Sequence, residues 1–292
     1  MPAQTIISAL PTLHPEAIAW AKSATTNGGV VTSRSLRAVS QFCGDIDRAS
    51  IRGKFLRLSL VCGGNLAAAR TPLYRGASPG GTQYGEAIDL NIGPFTSGDY
   101  SESTGLQGNG SSKAFDTGLT IGTLGTFGLT AESVHMSVYN RSTSAGAAGP
   151  SFGAFDYQGQ NFTNGCVIDS SDSGNILNNS PEFGAGSGTP GDHEVQASPF
   201  AAGFHLAEFT ATASAYYGIN GVSSAGSVVG ALVSAFESAD ATQVYFCGAG
   251  PSYFADQLLS AYSVGLPMST AGARTAFCSA MLAFQTALGR NV

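Results

Sequence analysis

The sequence is short of charge, and of positive charge in particular. Charged residues make up 11% of its 292 residues, well below the roughly 25% that is usual in globular proteins. It has only three lysines, Lys22, Lys54 and Lys113, and its formal net charge is −6. The one mildly basic stretch, residues 48–57, directly follows two aspartates. A nucleic-acid interface needs dense positive charge on one face, so we expect no nucleic acid among the partners.

Paired cysteines are also lacking. The five cysteines are widely spaced and form no Cys-x-x-Cys pair, which argues against a zinc ribbon. Four of them lie in apolar stretches typical of small buried side chains, namely Cys43, Cys62, Cys247 and Cys278. We therefore expect no bound metal or cofactor from these cysteines, and a disulfide framework is open but not favoured.

Long apolar runs are absent as well. No run approaches the ~20 residues that span a bilayer. The N-terminal stretch MPAQTIISALPTLHPE has neither the basic start nor the apolar centre of a signal peptide. We expect a chain that is made in a cytoplasm, without a secretory signal and without membrane insertion.

Residues 1–75 predict a small helical region. Pro15 suits the first turn of a helix, with His14 as its candidate N-cap and Asn27 followed by two glycines at its end. Apolar residues at helical spacing predict a second helix over residues 33–42 and a third over residues 50–61. Short helices of this kind need a surface on which to bury their apolar stripes, so we expect this region to act as an attachment element.

From residue 76 the pattern changes to short apolar alternations separated by turn residues. We predict strands in residues 134–138, 152–157, 166–169, 203–217, 243–247 and 259–265. The chain then closes with a helix within residues 266–290, capped by Ser269 or Thr270. The predicted fold is mainly β, a jelly-roll sandwich over residues 76–292 that follows the helical region and ends in this helix. His135 and His205 lie on strand patterns, which places them in the sheet as structural residues.

Residues 95–118, FTSGDYSESTGLQGNGSSKAFDTG, contain a compact motif of turn-forming residues. Asn-Gly is a strong hairpin signal between Leu106 and Phe115, and an Asp in such a turn accepts hydrogen bonds from backbone amides. We therefore assign a structural role to the motif, whose members are Asp99, Tyr100, Gly105, Leu106, Asn109 and Gly110.

This motif resembles a stretch of tailed-bacteriophage virion proteins, which carry a concanavalin/laminin-G-like jelly-roll domain behind a short helical region. The resemblance extends to residues 62–73 (CGGNLAAARTPL), to residues 135–139, and to the closing strand and helix. It implies a structural component of the virion, in the tail, a tail fibre or the capsid surface, that acts through assembly and surface display. Other virion proteins are then the expected partners, together with a homo-oligomer, for which a trimer is favoured. Residues 145–200 match nothing in the pattern.

Two alternatives stay open, a lectin-like adhesin that binds host-surface glycan and a glycan depolymerase. A depolymerase would need two carboxylates facing each other across a groove. The sequence shows no such pair, so we expect no enzyme.

Polar loops and one pair of tyrosines offer candidate ligand contacts. Two stretches carry oxygen ligands of the kind that Ca²⁺ or a polar ligand would use, one with Asp169, Asp172 and Asn175, the other with Asp192 and Glu194. Adjacent residues on a strand point to opposite faces, so one of Tyr216 and Tyr217 is a candidate exposed contact.

Overall fold

The computed structural model describes residues 12–130, 132–142, 150–158, 161–169, 182–187, 194–196, 201–211, 214–223, 227–229, 236, 241–250 and 253–292. Its helices are α1 (Pro15–Thr26), α2 (Ser33–Arg48), α3 (Leu66–Ala69), α4 (Ile121–Thr126) and α5 (Ala271–Ala287). Its strands are β1 (Phe55–Ser59), β2 (Leu90–Ile92), β3 (Tyr100–Ser101), β4 (Gly105–Gln107), β5 (Ala114–Thr120), β6 (Val134–Asn140), β7 (Phe152–Gln158), β8 (Asn161–Asp169), β9 (Glu182–Ser187), β10 (Glu194–Gln196), β11 (Gly203–Ala211), β12 (Ser214–Ile219), β13 (Val222–Ser223), β14 (Ser227–Val229), β15 (Gln243–Phe246), β16 (Gly248–Gly250), β17 (Tyr253–Phe254) and β18 (Leu258–Gly265).

The strands form two large antiparallel sheets. Sheet A has the order β13-β12-β11-β6-β18-β4-β3, and sheet B has the order β14-β10-β9-β8-β7-β15-β5-β2. Strand β18 pairs with β6 along one edge. Along its other edge, the first residues of β18 pair with β4 and its last residues pair with β1. The chain passes repeatedly from one sheet to the other, which builds the predicted mainly β sandwich.

Sheet A is buried on both faces. Its inner face packs on sheet B in a core that includes Met136, Val264, Phe115, Phe152 and Phe246. Its outer face packs under α1, α2 and α5 in a second core that includes Trp20, Phe42, Phe55, Phe204, Phe277 and Phe284. The apolar stripes of α1 and α2 are therefore covered within the chain, so burial of these stripes requires no second molecule.

The ends of the helices follow their sequence signals. His14 caps α1, because its Nδ1 accepts a hydrogen bond from the backbone N–H of Glu16 at 3.2 Å. The hydroxyl of Thr270 caps α5 by accepting from the N–H of Ala273 at 3.1 Å. Gly289 follows α5 with φ +72°, the left-handed conformation that glycine adopts at helix ends.

The third predicted helix, over residues 50–61, is wrong. This stretch holds a 3-10 turn at Arg52–Lys54 and then strand β1. Leu56 contributes to the core between the sheets, whereas Phe55 and Leu58 contribute to the core under the helices. A strand that is buried on both faces has a nearly continuous apolar run, and its spacing does not distinguish it from a helix. The segment forms a strand because its backbone pairs with β18.

The predicted hairpin at Asn109-Gly110 is also wrong. Strand β4 belongs to sheet A and β5 to sheet B, so this turn carries the chain between the sheets. Asn109 Oδ1 accepts from the N–H groups of Ser112 and Lys113, both at 3.0 Å, and Gly110 has φ +64°. The Asn-Gly pair forms a turn, but packing between the sheets selects the strands that it joins.

Among the described residues, no helix combines the length and the hydrophobicity that crossing a membrane requires.

Candidate binding face on sheet B

In sheet B, the outward-facing side chains of β5 and β15 are partly exposed to solvent. In β5, Phe115 and Leu119 point into the core, while Asp116 between them is half-buried on the outer face. In β15, Val244 and Phe246 point inward and Tyr245 points outward. Alternation along each strand therefore presents one residue in two to the surface.

The register aligns five outer-face positions in one row across the sheet. Leu90 pairs with Asp116, Asp116 with Tyr245, Tyr245 with Gly153, and Gly153 with Val167. Directly paired residues on neighbouring strands lie on the same face, close enough for their side chains to interact. We call these five residues the sheet B row.

The sheet B row combines an aromatic ring and a carboxylate with two aliphatic side chains. Tyr245 is half-buried and stands between Asp116 and Gly153. Gly153 is buried and has φ +148°, a conformation that favours glycine. Leu90 at the edge is 43% exposed, and Val167 is half-buried at the other end. A ligand lying along the row would meet an apolar surface beside a hydrogen-bond acceptor.

The electrostatics of the row are negative. Partial burial raises the pKa of the Asp116 carboxyl, and the charges of Asp89 and Glu86 add to the increase. The N–H of Gly118 donates a hydrogen bond to Asp116 Oδ1 at 2.8 Å, which lowers this pKa. Burial also raises the pKa of the Tyr245 hydroxyl, and the charge of Asp116 adds to it. Tyr245 therefore stays a neutral donor beside a carboxylate, a pair suited to hydroxyl-rich ligands.

A buried ion-pair network holds the edge of this face in position. Asp89 and Arg57 are fully buried, with Arg57 Nη2 at 2.5 Å from Asp89 Oδ1. The hydroxyl of Tyr262 lies 2.9 and 2.8 Å from the two Asp89 oxygens, and burial keeps the Tyr262 pKa well above its usual value, so this hydroxyl donates. Arg57 also donates to the carbonyl oxygens of Tyr84 and Glu86. The network fixes the segment that leads into β2, and because Asp89 has no exposed surface it does not reach a bound ligand.

The members of the predicted turn motif precede β5, the strand that carries Asp116. Asp99 Oδ2 accepts from the N–H of Thr96 at 2.6 Å and from Lys113 Nζ at 2.7 Å. These hydrogen bonds lower the pKa of Asp99, with the Lys113 contact as the largest cause. Tyr100 donates its hydroxyl to the carbonyl oxygen of Gly63 at 2.6 Å. These contacts hold a turn, and none involves the row.

Leu106 and Gly105 belong to β4, the strand that completes the edge of β18. Leu106 is fully buried in the core between the sheets. Gly105 has φ +101°, and a Cβ there would stand 2.6 Å from the carbonyl oxygen of Leu259. Both residues therefore serve packing of the strand.

The two adjacent tyrosines point to opposite faces of β12. Tyr217 is buried between the sheets, where its hydroxyl lies 2.9 Å from His205 Nδ1. Tyr216 is half-buried on the helix side, with the guanidinium of Arg274 4.4 Å from its ring centre. Glu208 pairs with this same Arg274 at 2.5 Å. Tyr216 is thus engaged by its own chain on the face opposite to the row.

The predicted polar loops are described only in part. Asp169 ends β8 and Glu194 begins β10, whereas Asp172, Asn175 and Asp192 lie outside the described residues. The register continues from Val167 through Gly184 to Glu194, so Glu194 occupies a position in line with the sheet B row. The Ca²⁺ site stays a prediction.

Sequence reasoning did not single out Asp116, Tyr245 or Gly153. The alternation in β5 and β15 signals that Asp116 and Tyr245 face outward. Their alignment depends on β5 and β15 being neighbours in sheet B. That pairing joins segments far apart in the chain, and no local signal predicts it.

No protein-family model and no curated protein sequence matches the chain. Several solved structures share part of its fold. One is a sialidase of Trypanosoma rangeli in complex with 2,3-difluorosialic acid, 12% identical with a TM-score of 0.45. The match covers 84% of this chain and 39% of that one, so the chain spans about two fifths of the sialidase.

Two smaller structures are also similar. Domain 4 of AbnA, a GH43 extracellular arabinanase from Geobacillus stearothermophilus in complex with arabinotriose, is 11% identical over 57% of this chain and 76% of that one, with a TM-score of 0.36. The CBM40 of the Ruminococcus gnavus IT-sialidase bound to α2,6-sialyllactose is 12% identical over 55% of this chain and 89% of that one, with a TM-score of 0.33. Likeness at this level concerns the layout of the fold alone, so function rests on the chain's own residues.

Proposed function

We propose that the sandwich is a glycan-binding module and that the outer face of sheet B is its binding surface. One observation carries this proposal, the alignment of Leu90, Asp116, Tyr245, Gly153 and Val167 in one row. A tyrosine ring offers an apolar face for the C–H side of a sugar ring, and its hydroxyl is a polar handle. A neighbouring carboxylate accepts hydrogen bonds from sugar hydroxyls.

The charge of the row favours a neutral saccharide. Asp116 lies close enough to Glu86 for that charge to raise its pKa. The positive charge of Arg57 is buried inside and already paired with Asp89. An anionic sugar such as a sialic acid would therefore meet like charge at the row, and like charges disfavour binding. We expect neutral, hydroxyl-rich glycans to bind better than sialylated ones.

The proposed activity is binding without hydrolysis. Glycoside hydrolysis commonly needs two carboxylates flanking the scissile bond. In the sheet B row, Asp116 is the one carboxylate, and Asp89 behind it is buried and hydrogen-bonded to Arg57 and Tyr262. Glu194, in line with the row, stands five strands from Asp116. That is roughly 24 Å at about 4.8 Å per strand, too far for the two carboxylates to act on one glycosidic bond. We expect no release of reducing ends when the protein is incubated with a glycan that it binds.

The resemblance to tailed-phage virion proteins supplies a setting for such a module, namely display on a virion surface next to other virion proteins. This setting and the homo-oligomer stay predictions from the sequence. Light scattering of the purified protein checks the second of them. A trimer is the expected result, and a monomer at all concentrations would contradict it.

The binding proposal is tested on an array of neutral and sialylated glycans with three proteins. These are the wild type, Tyr245→Ala on the row, and Tyr216→Ala as a matched control on the opposite face. Both variants remove one half-buried tyrosine ring, so a general loss of packing affects both. We expect neutral glycans to bind the wild type and Tyr216→Ala but not Tyr245→Ala. Binding that survives in Tyr245→Ala would overturn the assignment of the row, and an array without any signal would overturn glycan binding itself.

A further inference from the structure

Three side chains with different metal-binding groups meet where α1 begins against α2. They are an imidazole, a carboxylate and a thiol, contributed by His14, Glu16 and Cys43. One ligand atom from each lies within 4.8 Å of the other two. His14 and Glu16 flank the start of α1 and Cys43 lies on α2, so helix packing creates a set that shows no metal-binding spacing in the sequence.

The imidazole of His14 is oriented by a second carboxylate. Its Nε2 lies 2.9 Å from Asp47 Oδ2, while its Nδ1 accepts from the N–H of Glu16 at a longer 3.2 Å. In this tautomer Nε2 carries the proton and the lone pair is on Nδ1. Metal-binding histidines commonly donate their other N–H to a carboxylate, which fixes the ring and increases its basicity as a ligand. Asp47 provides this support, and an ion bound at Nδ1 would replace the N–H of Glu16 as the partner of its lone pair.

The carboxylate of Glu16 is held with one oxygen unused. Its Oε1 accepts from Arg52 Nε at 2.8 Å. Arg52 is itself fixed, because it donates to the carbonyl oxygen of Gly76 at 2.7 Å and its guanidinium lies 3.6 Å from the ring centre of Tyr74. The second oxygen of Glu16 takes part in none of these contacts and can serve as a metal ligand.

The buried hydroxyl of Tyr74 lies beside the thiol of Cys43. Tyr74 is 1% exposed, and its side chain is within hydrogen-bonding range of that of Cys43. A hydroxyl in this position can donate to the sulfur of a metal-bound thiolate, an outer-shell contact of the kind that supports metal ligands.

Solvent reaches the imidazole and the carboxylate of the cluster through a cavity of about 500 Å³. Its lining includes His14, Glu16, Asp47 and Arg52. Cys43 lies behind this lining and is fully buried, so an ion would meet His14 and Glu16 first and the thiol last.

We propose that His14, Glu16 and Cys43 form a binding site for a divalent transition-metal ion of the zinc type, with a fourth position open to water. Zinc accepts this mixture of nitrogen, oxygen and sulfur ligands at about 2.0 to 2.3 Å. The sulfur–metal bond forms as the thiol loses its proton to solvent, so each ion bound through Cys43 releases one proton. The ion would join the start of α1 to α2 and thereby stabilise the helix layer over sheet A.

The site is tested by titrating the metal-free full-length protein with Co²⁺ and Zn²⁺. Co²⁺ bound to a thiolate gives a charge-transfer absorption band that reports the sulfur ligand, and calorimetry gives the stoichiometry and the proton release. The variants are Cys43→Ser, His14→Gln and Glu16→Gln, with Cys278→Ser as the matched control, since Cys278 is another buried free cysteine on a helix.

We expect one ion per chain, the thiolate band and a raised Tm in the wild type and in Cys278→Ser. Cys43→Ser loses the band, and His14→Gln and Glu16→Gln bind at least tenfold more weakly. Circular dichroism confirms that each variant is folded before titration. Absence of binding to the wild type, or a thiolate band that persists in Cys43→Ser, would overturn the proposal.

Discussion

Two buried histidines make the stability of the fold sensitive to mild acid. His135 lies between sheet A and the helices, with Nδ1 2.7 Å from the carbonyl oxygen of Leu266 and Nε2 3.0 Å from the Ser263 hydroxyl. His205 lies between the sheets, with Nε2 2.9 Å from the carbonyl oxygen of Ala201. In each ring one nitrogen donates to a carbonyl and the other accepts a hydroxyl, which is the neutral form.

Burial lowers the pKa of each histidine from 6.5 to about 4, against the opposing effect of its backbone hydrogen bond. In the unfolded chain both rings take up a proton as the pH falls below about 6.5, whereas in the folded chain they do so only near pH 4. The contribution of each histidine to the free energy of unfolding is therefore complete above pH 6.5, and it decreases as the pH falls towards 4. At about 1.4 kcal/mol per pH unit, each histidine removes about 3 kcal/mol of stability across this interval.

The assay is urea unfolding at several pH values between 7 and 4.5, on the wild type, His135→Gln and His205→Gln. Glutamine does not titrate, so each variant should lose stability less steeply than the wild type, by about 1.4 kcal/mol per pH unit in the middle of the interval. The difference in slope isolates the histidine from the carboxyl groups, which titrate in all three proteins. Identical slopes in the wild type and both variants would refute the reasoning.

Three further substitutions test the structural networks, each by urea unfolding at pH 7. Asp89→Ala should lower the free energy of unfolding by about 3–5 kcal/mol, because it leaves the fully buried Arg57 without its counter-charge. A decrease below about 1 kcal/mol would contradict this. Arg290→Met should lower the free energy of unfolding by about 3 kcal/mol, because it removes the donor to the carbonyl oxygens of Leu60, Val61 and Ser260. Unchanged stability would contradict this and show that water replaces the guanidinium. Thr270→Ala should cost about 1 kcal/mol through loss of the α5 cap, whereas Thr270→Ser should keep most of it.

Local signals were sufficient where a single element decides its own structure. Helix α5 carries an apolar stripe, a threonine cap and a terminal glycine, all within one segment, and the structure places each as predicted. Strand β6 alternates cleanly, with Val134, Met136 and Val138 facing sheet B. In β6 the positions on the helix side include the polar residues His135 and Ser137, so its apolar alternation remains visible although both faces are buried.

Local signals failed where the environment is set by distant parts of the chain. Phe55 and Leu56 lie on opposite faces of a strand that has a core on each side, and this gives the apolar run of a helix. The Asn109-Gly110 turn is read correctly as a turn, but packing of two sheets decides which strands it connects. The candidate binding face depends on this same long-range pairing, because Asp116 and Tyr245 become neighbours only in sheet B. Likewise, His14 and Cys43 meet only when α1 packs on α2.

The most direct test of glycan binding by sheet B is a calorimetric titration of the wild type and of Tyr245→Ala with a neutral oligosaccharide that the array identifies. The ring of Tyr245 is the central aromatic surface of the row, between Asp116 and Gly153. We predict that its removal weakens binding about tenfold or more, equivalent to at least about 1.4 kcal/mol, while Tyr216→Ala binds like the wild type. Equal affinity of the wild type and Tyr245→Ala would contradict the account and place the ligand elsewhere on the molecule.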